Sequence, residues 1–166
     1  VSALSLGTWS LGGETKGQTS YGKITKKESL NIISKAYDIG VNFFDTSPTY
    51  GFSQSLLGSC FKKKRDKVIL SSKVGLNSYS LKKNFSEKFV TKQIHKILLE
   101  LNTDYIDFIK LYCPDPKDKS LTDGYDEINP SKVSSIFLFN LLKSQSSHGG
   151  VTVLGENYSS GFYYHI

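Results

Sequence analysis

Three polar residues in the first half of the chain carry side chains that together could transfer a proton: Asp45, Tyr50 and Lys73. A phenol has a pKa of about 10, too high for efficient proton transfer near neutrality, and a neighbouring ammonium group lowers that pKa by favouring the phenolate. A carboxylate beside the lysine would keep the ammonium charged. The three side chains are therefore a candidate proton relay directed at a carbonyl oxygen. Each residue also suits an ordinary structural role: Asp45 could cap a loop, Tyr50 could pack in the core, and Lys73 could be a solvated cation.

The relay requires these residues to follow strands that end at one edge of a sheet. Short apolar segments predict strands over residues 3–6, 41–44, 68–70, 105–111 and 151–154, and apolar residues at helical spacing predict helices over residues 25–40, 54–61, 86–101 and 133–143. The relay residues follow the second and third of these strands. Since the loops after parallel strands meet at the same edge, the relay residues are expected to lie together.

The predicted helix ends rest on a few local signals. Thr25 and Glu28 have capping-box spacing, in which each side chain accepts a backbone hydrogen bond from the other residue. Gly40 supplies the left-handed residue that ends the same helix. Ser53 and Ser86 are predicted to cap the next two helices.

Strands that alternate with helices predict an α/β fold built from right-handed βαβ units around a parallel sheet. Two architectures satisfy this pattern, a closed barrel and an open, doubly wound sheet. Gly7, Gly12 and Gly13 follow the first strand without forming the GxGxxG pattern, and no helix follows them directly. The glycine spacing therefore favours the barrel.

Composition limits the remaining classes of function. The chain has 166 residues and a formal net charge of +6, without a run of the roughly 20 apolar residues that cross a bilayer. Its basic clusters, at residues 26–27, 62–65 and 82–83, lack interleaved aromatic residues and are interpreted as solvated surface rather than a nucleic-acid site. Cys60 and Cys113 have no metal-site spacing and are too few for a disulfide framework, although their pairing stays open. We expect a cytoplasmic protein without a metal, a membrane or a nucleic-acid partner.

The same residues resemble the aldo-keto reductase family. The similarity lies in several motifs in the family's order: LGTW at 6–9 with two glycines at 12–13, GVNFFDTSPTYG at 40–51, LG at 57–58, SKVG at 72–75, LNTDYID at 101–107 and PD at 114–115. It is clear over residues 1–116. From residue 133 it weakens to VLGENYS at 153–159, which is one residue shorter than the family's fifth-strand motif.

The resemblance implies a (β/α)8 barrel, NADPH or NADH as cofactor, and reversible reduction of an aldehyde or ketone. Position by position, Tyr50 matches the proton donor, Lys73 the residue that lowers its pKa, and Asp45 the partner of that lysine. The resemblance also implies contact with the cofactor at five positions: Gly7, Thr8, Trp9, Asp45 and Asn157. Of these, Trp9 lies where the family lines its substrate pocket.

One departure from the family concerns the fourth catalytic position, usually a histidine after the fourth strand. Tyr112 occupies that position here. A tyrosine can donate a hydrogen bond to a carbonyl oxygen, but it does not titrate near neutrality as imidazole does. Reduced or altered activity is expected, and a non-catalytic, cofactor-binding or regulatory role is the alternative, because some members that act as regulatory subunits also lack this histidine.

The second departure is length. Successive predicted strands are about 37 residues apart, so that eight units would need roughly 290 residues, in line with barrels of about 250 or more. We therefore expect a single partial barrel of about five strand–helix units over residues 1–166, with a long polar loop at 115–132 and a divergent part at 133–166. Weak or no activity is expected from such a portion of a reductase. Two half-barrels closing as a homodimer would cover the open sheet edge.

Overall fold

A computed structural model describes residues 1–15, 22–77, 82–112 and 152–155. Its helices are α1 (Lys26–Asp38), α2 (Ser53–Phe61) and α3 (Glu87–Leu101). Its strands are β1 (Ser5–Gly7), β2 (Phe43–Asp45), β3 (Ile69–Val74), β4 (Leu76–Asn77), β5 (Lys82–Lys83), β6 (Phe108–Leu111) and β7 (Thr152–Gly155). Short 3₁₀ turns cover Trp9–Leu11 and Arg65–Lys67.

Among these residues, five strands form one parallel sheet in the order β1-β2-β3-β6-β7, and β4 pairs with β5 in a short antiparallel hairpin. The large sheet runs in chain order because a helix covers each of the first connections, as right-handed βαβ units require. The predicted alternating α/β arrangement with a parallel sheet is thus confirmed over these strands. The hairpin was not predicted, since two-residue strands carry no periodic signal.

The hydrophobic core lies between one face of the sheet and the three helices. Phe44, Leu70 and Ile109 point toward the helices and are fully buried, as are the helical residues Ile33 and Ile97. Because side chains alternate along a strand, the residues between them point to the opposite face of the sheet. We call this the interior face; on it lie Asp45, Ser71, Lys73, Phe108 and Lys110.

The predicted helix starts are confirmed at α1, are correct only in position at α3, and are wrong at α2. The Thr25 hydroxyl accepts a hydrogen bond from the Glu28 amide at 3.2 Å, and the Glu28 carboxylate accepts one from the Thr25 amide at 2.8 Å. Ser86 occupies the N-cap position of α3 as predicted, but its side chain makes no cap hydrogen bond. Ser53 is not the cap of α2, because Phe52 occupies that position. The buried Ser53 hydroxyl instead bonds the hydroxyls of Thr46 and Thr8. A serine hydroxyl engaged in this way is not available to cap a helix.

Arg65 departs from the prediction that its basic cluster is solvated. Its guanidinium pairs with Asp107 at 2.6 Å and donates to the backbone carbonyl oxygens of Val68 and Tyr105. Asp107 also accepts the Leu70 amide at 2.8 Å. This ion pair joins the starts of β3 and β6, at the end of the sheet opposite the relay. Because its partners are far apart in the sequence, the basic cluster at residues 62–65 does not by itself predict it.

The remaining predictions divide between confirmed and undescribed segments. The predicted fifth strand is confirmed as β7, shifted by one residue from 151–154. The loop at 115–132, the helix at 133–143 and Cys113 lie outside the described residues, whereas Cys60 is a free thiol in α2. Over the described ranges, no helix has the length and apolar character to span a membrane.

Candidate active site

The relay residues come together at the carboxyl edge of the sheet. Asp45 is the last residue of β2, and the register pairs it with Gly7 on β1 and Ser71 on β3. Lys73 lies two residues beyond Ser71, on the same interior face. Tyr50 reaches this face from the loop between β2 and α2. The expectation that strand ends gather these three side chains is therefore met in the structure.

The Lys73 ammonium is the centre of the cluster. Its Nζ lies 2.6 Å from Oδ2 of Asp45 and 3.1 Å from the Tyr50 hydroxyl, and it contacts the Thr46 carbonyl oxygen at 3.4 Å. The side chain is only 8% exposed. A lysine withdrawn from water in this way needs a carboxylate to stay charged, and Asp45 supplies it. The ammonium thus joins the carboxylate to the phenol.

Two further side chains, those of Lys110 and Ser71, bind Asp45, and neither of these contacts was predicted from the sequence. Lys110 of β6 places its Nζ 2.6 Å from Oδ1, and the Ser71 hydroxyl donates to the same oxygen at 3.0 Å. The signal for Lys110 was its position two residues before Tyr112, which puts both on one face of a strand. Ser71 directly follows the predicted strand 68–70, but its bond to Asp45 follows from the pairing of β2 with β3, which the sequence does not show.

Burial and charge act in opposite directions on the Asp45 carboxyl. Burial raises its pKa, whereas the ammonium groups of Lys73 and Lys110, and the hydrogen bonds that they donate, lower it. The net effect holds the pKa of Asp45 below its usual value. Asp45 therefore stays ionised throughout the neutral range and holds both lysines in place.

This lowered pKa predicts how stability depends on pH. The carboxylate's contribution to the free energy of unfolding is fully present above the unfolded pKa of about 4 and is lost as the pH falls through the folded value. Urea unfolding of the native protein and of Asp45→Asn should differ most near neutral pH, and the difference should shrink below about pH 4. A difference that stays constant across this range would contradict the assigned ion pairs.

Tyr50 is fixed by its ring and by its backbone. The indole of Trp9 stacks on the phenol ring with centroids 5.9 Å apart and planes 15° apart. A Cβ on Gly12 would lie 1.7 Å from the Tyr50 carbonyl oxygen, and one on Gly51, whose φ is +57°, would lie 2.0 Å from the Gly12 oxygen. The Phe52 amide donates to that same oxygen at 3.0 Å. Because Gly12 and Gly51 have no side chains, the backbone after β1 can contact the backbone at Tyr50 and Gly51. This contact fixes the position of the phenol above the edge of the sheet.

Gly7 and Thr8, two of the residues matched to cofactor contacts, end β1 beside Asp45. Thr8 is fully buried, and both its amide and its hydroxyl donate to the Asp45 carbonyl oxygen, at 2.9 and 2.8 Å. In the described structure Thr8 therefore anchors the backbone of the relay carboxylate. Gly7 is exposed, and no heavy atom lies within 4 Å of the place where its Cβ would be.

The last two matched residues lie further along the chain. Tyr112 directly follows β6, and its amide donates to the Val74 carbonyl oxygen at 2.9 Å, which extends the pairing of β6 with β3. Alternation along β6 places its side chain on the interior face with Lys110. Asn157 lies outside the described residues. The structure thus brings Asp45, Tyr50 and Lys73 into contact and places Trp9 and Tyr112 at the same edge.

Sequence comparison identifies proteins that share these motifs. The profile of the aldo/keto reductase family matches residues 3–139. The chain is 36% identical over 122 residues to the aldo-keto reductase YhdN of Bacillus subtilis, a match covering 70% of this chain and 35% of YhdN. It is 30% identical over 122 residues to the NADH-specific methylglyoxal reductase of Escherichia coli, covering 64% of this chain and 36% of that protein. The matched part spans about a third of either curated relative.

Solved structures give the same result for the fold. The crystal structure of PA4992 from Pseudomonas aeruginosa, described as an aldo-keto reductase, superposes with a TM-score of 0.69 at 27% identity, and the match covers 93% of this chain and 56% of that one. Three observations point to the same family. They are the parallel sheet, the contact of Lys73 with Asp45 and Tyr50 at its carboxyl edge, and the profile match over most of the sequence. The chain belongs to the aldo/keto reductase family and has its TIM-barrel type of fold.

Proposed function

We propose that the chain forms the proton-transfer part of an NAD(P)H-dependent oxidoreductase that reduces an aldehyde or a ketone, with Tyr50 as the proton donor. The observation that carries this proposal is the position of the Lys73 Nζ, 2.6 Å from an Asp45 carboxylate oxygen and 3.1 Å from the Tyr50 hydroxyl. The relative named as an NADH-specific methylglyoxal reductase supports the same class of reaction. We expect slow turnover, because Tyr112 stands where the family usually has histidine.

The residues at the carboxyl edge fit a nicotinamide ring. The open space above Gly7 and the exposed indole of Trp9, which is 37% exposed, leave room for a flat ring next to the phenol. We assign Gly7 and Trp9 to the contacts with the ring. Thr8 holds this segment in place through its hydrogen bonds to the Asp45 backbone. A bound reduced nicotinamide supplies the hydride that the carbonyl carbon accepts.

The chain's own residues then handle the proton. The Tyr50 hydroxyl donates a hydrogen bond to the carbonyl oxygen, and its proton passes to that oxygen as negative charge develops there. An ammonium group 3.1 Å from a phenol oxygen stabilises the phenolate that this transfer leaves behind. Asp45 holds the ammonium in position, and Tyr112 supplies a second hydroxyl at the same edge.

The experiment follows the hydride directly rather than the cofactor alone. The purified chain is mixed in molar excess with NADPH or NADH deuterated at the transferable position, together with a panel of aldehydes and ketones. The proposal predicts an alcohol carrying one deuterium at the former carbonyl carbon, identified by mass spectrometry. Absence of labelled alcohol from every carbonyl, with a folded protein, would contradict a reductase function.

A second candidate is a non-catalytic protein that binds the nicotinamide cofactor, and Tyr112 is the observation that favours it. A tyrosine at this position does not titrate near neutrality as the family's imidazole does. This candidate predicts that NADPH fluorescence changes on binding while no carbonyl is reduced. Homodimer formation, expected from the partial barrel, stays a prediction, and sedimentation of a single monomeric species would exclude it.

A further inference from the structure

Lys110 is a feature of the site that neither the relay nor the proposed chemistry uses. It lies in β6, directly across from Lys73 in the register, and both side chains point to the interior face. Its Nζ lies 2.6 Å from Oδ1 of Asp45, while the Lys73 Nζ lies 2.6 Å from Oδ2. One carboxylate is therefore held between two ammonium groups.

Asp45 does not need Lys110 to satisfy its hydrogen bonds. Oδ1 already accepts the Ser71 hydroxyl at 3.0 Å, and Oδ2 accepts Lys73. Placing a lysine on the interior face has a cost, because only 15% of its side chain is exposed and an ammonium loses hydration there. A neutral residue at position 110 would leave a closed, electrically balanced pair of Asp45 and Lys73. The second ammonium thus changes the charge of the site rather than completing its hydrogen bonding.

The charged groups that the structure describes near the phenol lie on three neighbouring strands, β2, β3 and β6. Tyr50 contacts the Lys73 ammonium and stacks on the uncharged indole of Trp9. On the side of Lys73 away from the phenol lie Asp45 and Lys110. Arg65 and Asp107 form a separate pair at the opposite end of the strands. Among the described residues, Asp45 therefore contacts two ammonium groups, and one of them, that of Lys73, also contacts the phenol.

We propose that Lys110 is a positioning residue that shares Asp45 with Lys73, so that Asp45 offsets less of the positive charge that Lys73 places beside Tyr50 and the phenolate is stabilised. This inference deepens the proposed function and rests on it for its role in catalysis. The positive charge favours proton release from Tyr50 to the substrate oxygen, and it offsets part of what the site loses with Tyr112 in place of histidine. The low exposure of the two lysines limits screening by salt.

The test measures the phenolate itself and needs neither cofactor nor turnover. The chain contains 10 tyrosines, so the ultraviolet phenolate signal of Tyr50 is obtained as the native titration minus that of Tyr50→Phe. The same subtraction is made in a Lys110→Met background with the double variant. We expect Lys110→Met to raise the midpoint of Tyr50 ionisation by about one pH unit, the size of one unit charge acting through a partly screened site.

Three variants control for other causes of a shift. Lys110→Arg keeps the charge and is expected to keep the native midpoint, and Lys110→Gln provides a second neutral variant if Lys110→Met does not fold. Lys92→Met removes the same charge from the exposed surface of α3 and is expected to leave the midpoint unchanged. Circular dichroism confirms the fold of each variant before titration.

The outcomes separate this inference from the proposed function. An unchanged Tyr50 midpoint in the folded neutral variants would overturn the role of Lys110, even if Tyr50-dependent reduction is found. A raised midpoint in a protein that reduces no carbonyl would support the role of Lys110 and contradict the reductase. Where turnover is measurable, the limb of the kcat/KM profile that reports Tyr50 should move by the same amount as its ionisation.

Discussion

Replacing Tyr50 with phenylalanine is expected to lower the rate of carbonyl reduction by about 100- to 10,000-fold, the usual contribution of a positioned proton donor. Phenylalanine keeps the ring that stacks on Trp9 and removes only the hydroxyl that contacts the Lys73 ammonium. Asp45 still neutralises Lys73 in the variant. The loss should therefore appear in the chemical step, with little change in cofactor binding or in stability.

The measurement is single-turnover reduction by excess protein, since slow native turnover would be hard to follow in the steady state. Tyr37→Phe is the matched control, because it removes one phenol hydroxyl from α1, remote from the carboxyl edge of the sheet. It is expected to retain the native rate. If Tyr50→Phe reduced the carbonyl as fast as the native chain, Tyr50 would not be the proton donor.

The second large effect is expected at Gly12, which touches no substrate. An alanine methyl group there would lie 1.7 Å from the carbonyl oxygen of Tyr50 and 2.5 Å from its carbonyl carbon. These are backbone atoms, so no side-chain rotation can relieve the overlap and the segment around Tyr50 must move. A displacement of about 1 Å at a reacting group can cost about 100-fold in rate. Gly12→Ala is therefore expected to reduce turnover by about that factor.

A control must separate this displacement from a general loss of stability, because overpacking costs typically about 1–3 kcal/mol. Gly40→Ala serves this purpose. Its φ of +96° makes alanine unfavourable, yet no atom lies within 4 Å of the new methyl group, and the residue is at the far end of β2 from the site. Comparable losses of stability in urea, with a rate loss in Gly12→Ala alone, would support the positioning role. Equal rates in both variants would contradict it.

The sequence predicted those parts of the fold that depend on neighbouring residues. The capping box of Thr25 and Glu28 formed as expected, because both partners lie within one helical turn. The same reasoning failed at Ser53, whose hydroxyl bonds Thr46 and Thr8 in the folded chain. A serine before an apolar helix cannot show whether a distant hydroxyl will compete for it. Local rules therefore fixed the presence of helices better than the chemistry of their ends.

The candidate site divides in the same way. Asp45, Tyr50 and Lys73 were predictable because polar residues after parallel strands gather at one edge. Lys110 was placed in its strand without a partner, since a lysine within an apolar strand does not reveal which carboxylate it meets. Ser71 follows the same predicted strand as Lys73, but the sequence does not show which carboxylate it bonds. Both contacts depend on the register among β2, β3 and β6, which no short segment of the chain specifies.

By its sequence alone, this protein is an alternating α/β chain with a carboxylate, a phenol and an ammonium group at strand ends, because periodicity and strand termini are local properties. Only the tertiary structure decided that two lysines share Asp45 and that Gly12 touches the backbone of Tyr50. Both features arise from the order and register of strands that are far apart in the chain. The sequence thus determined which chemistry is available, whereas packing decided the charge around the phenol and the precision of its position.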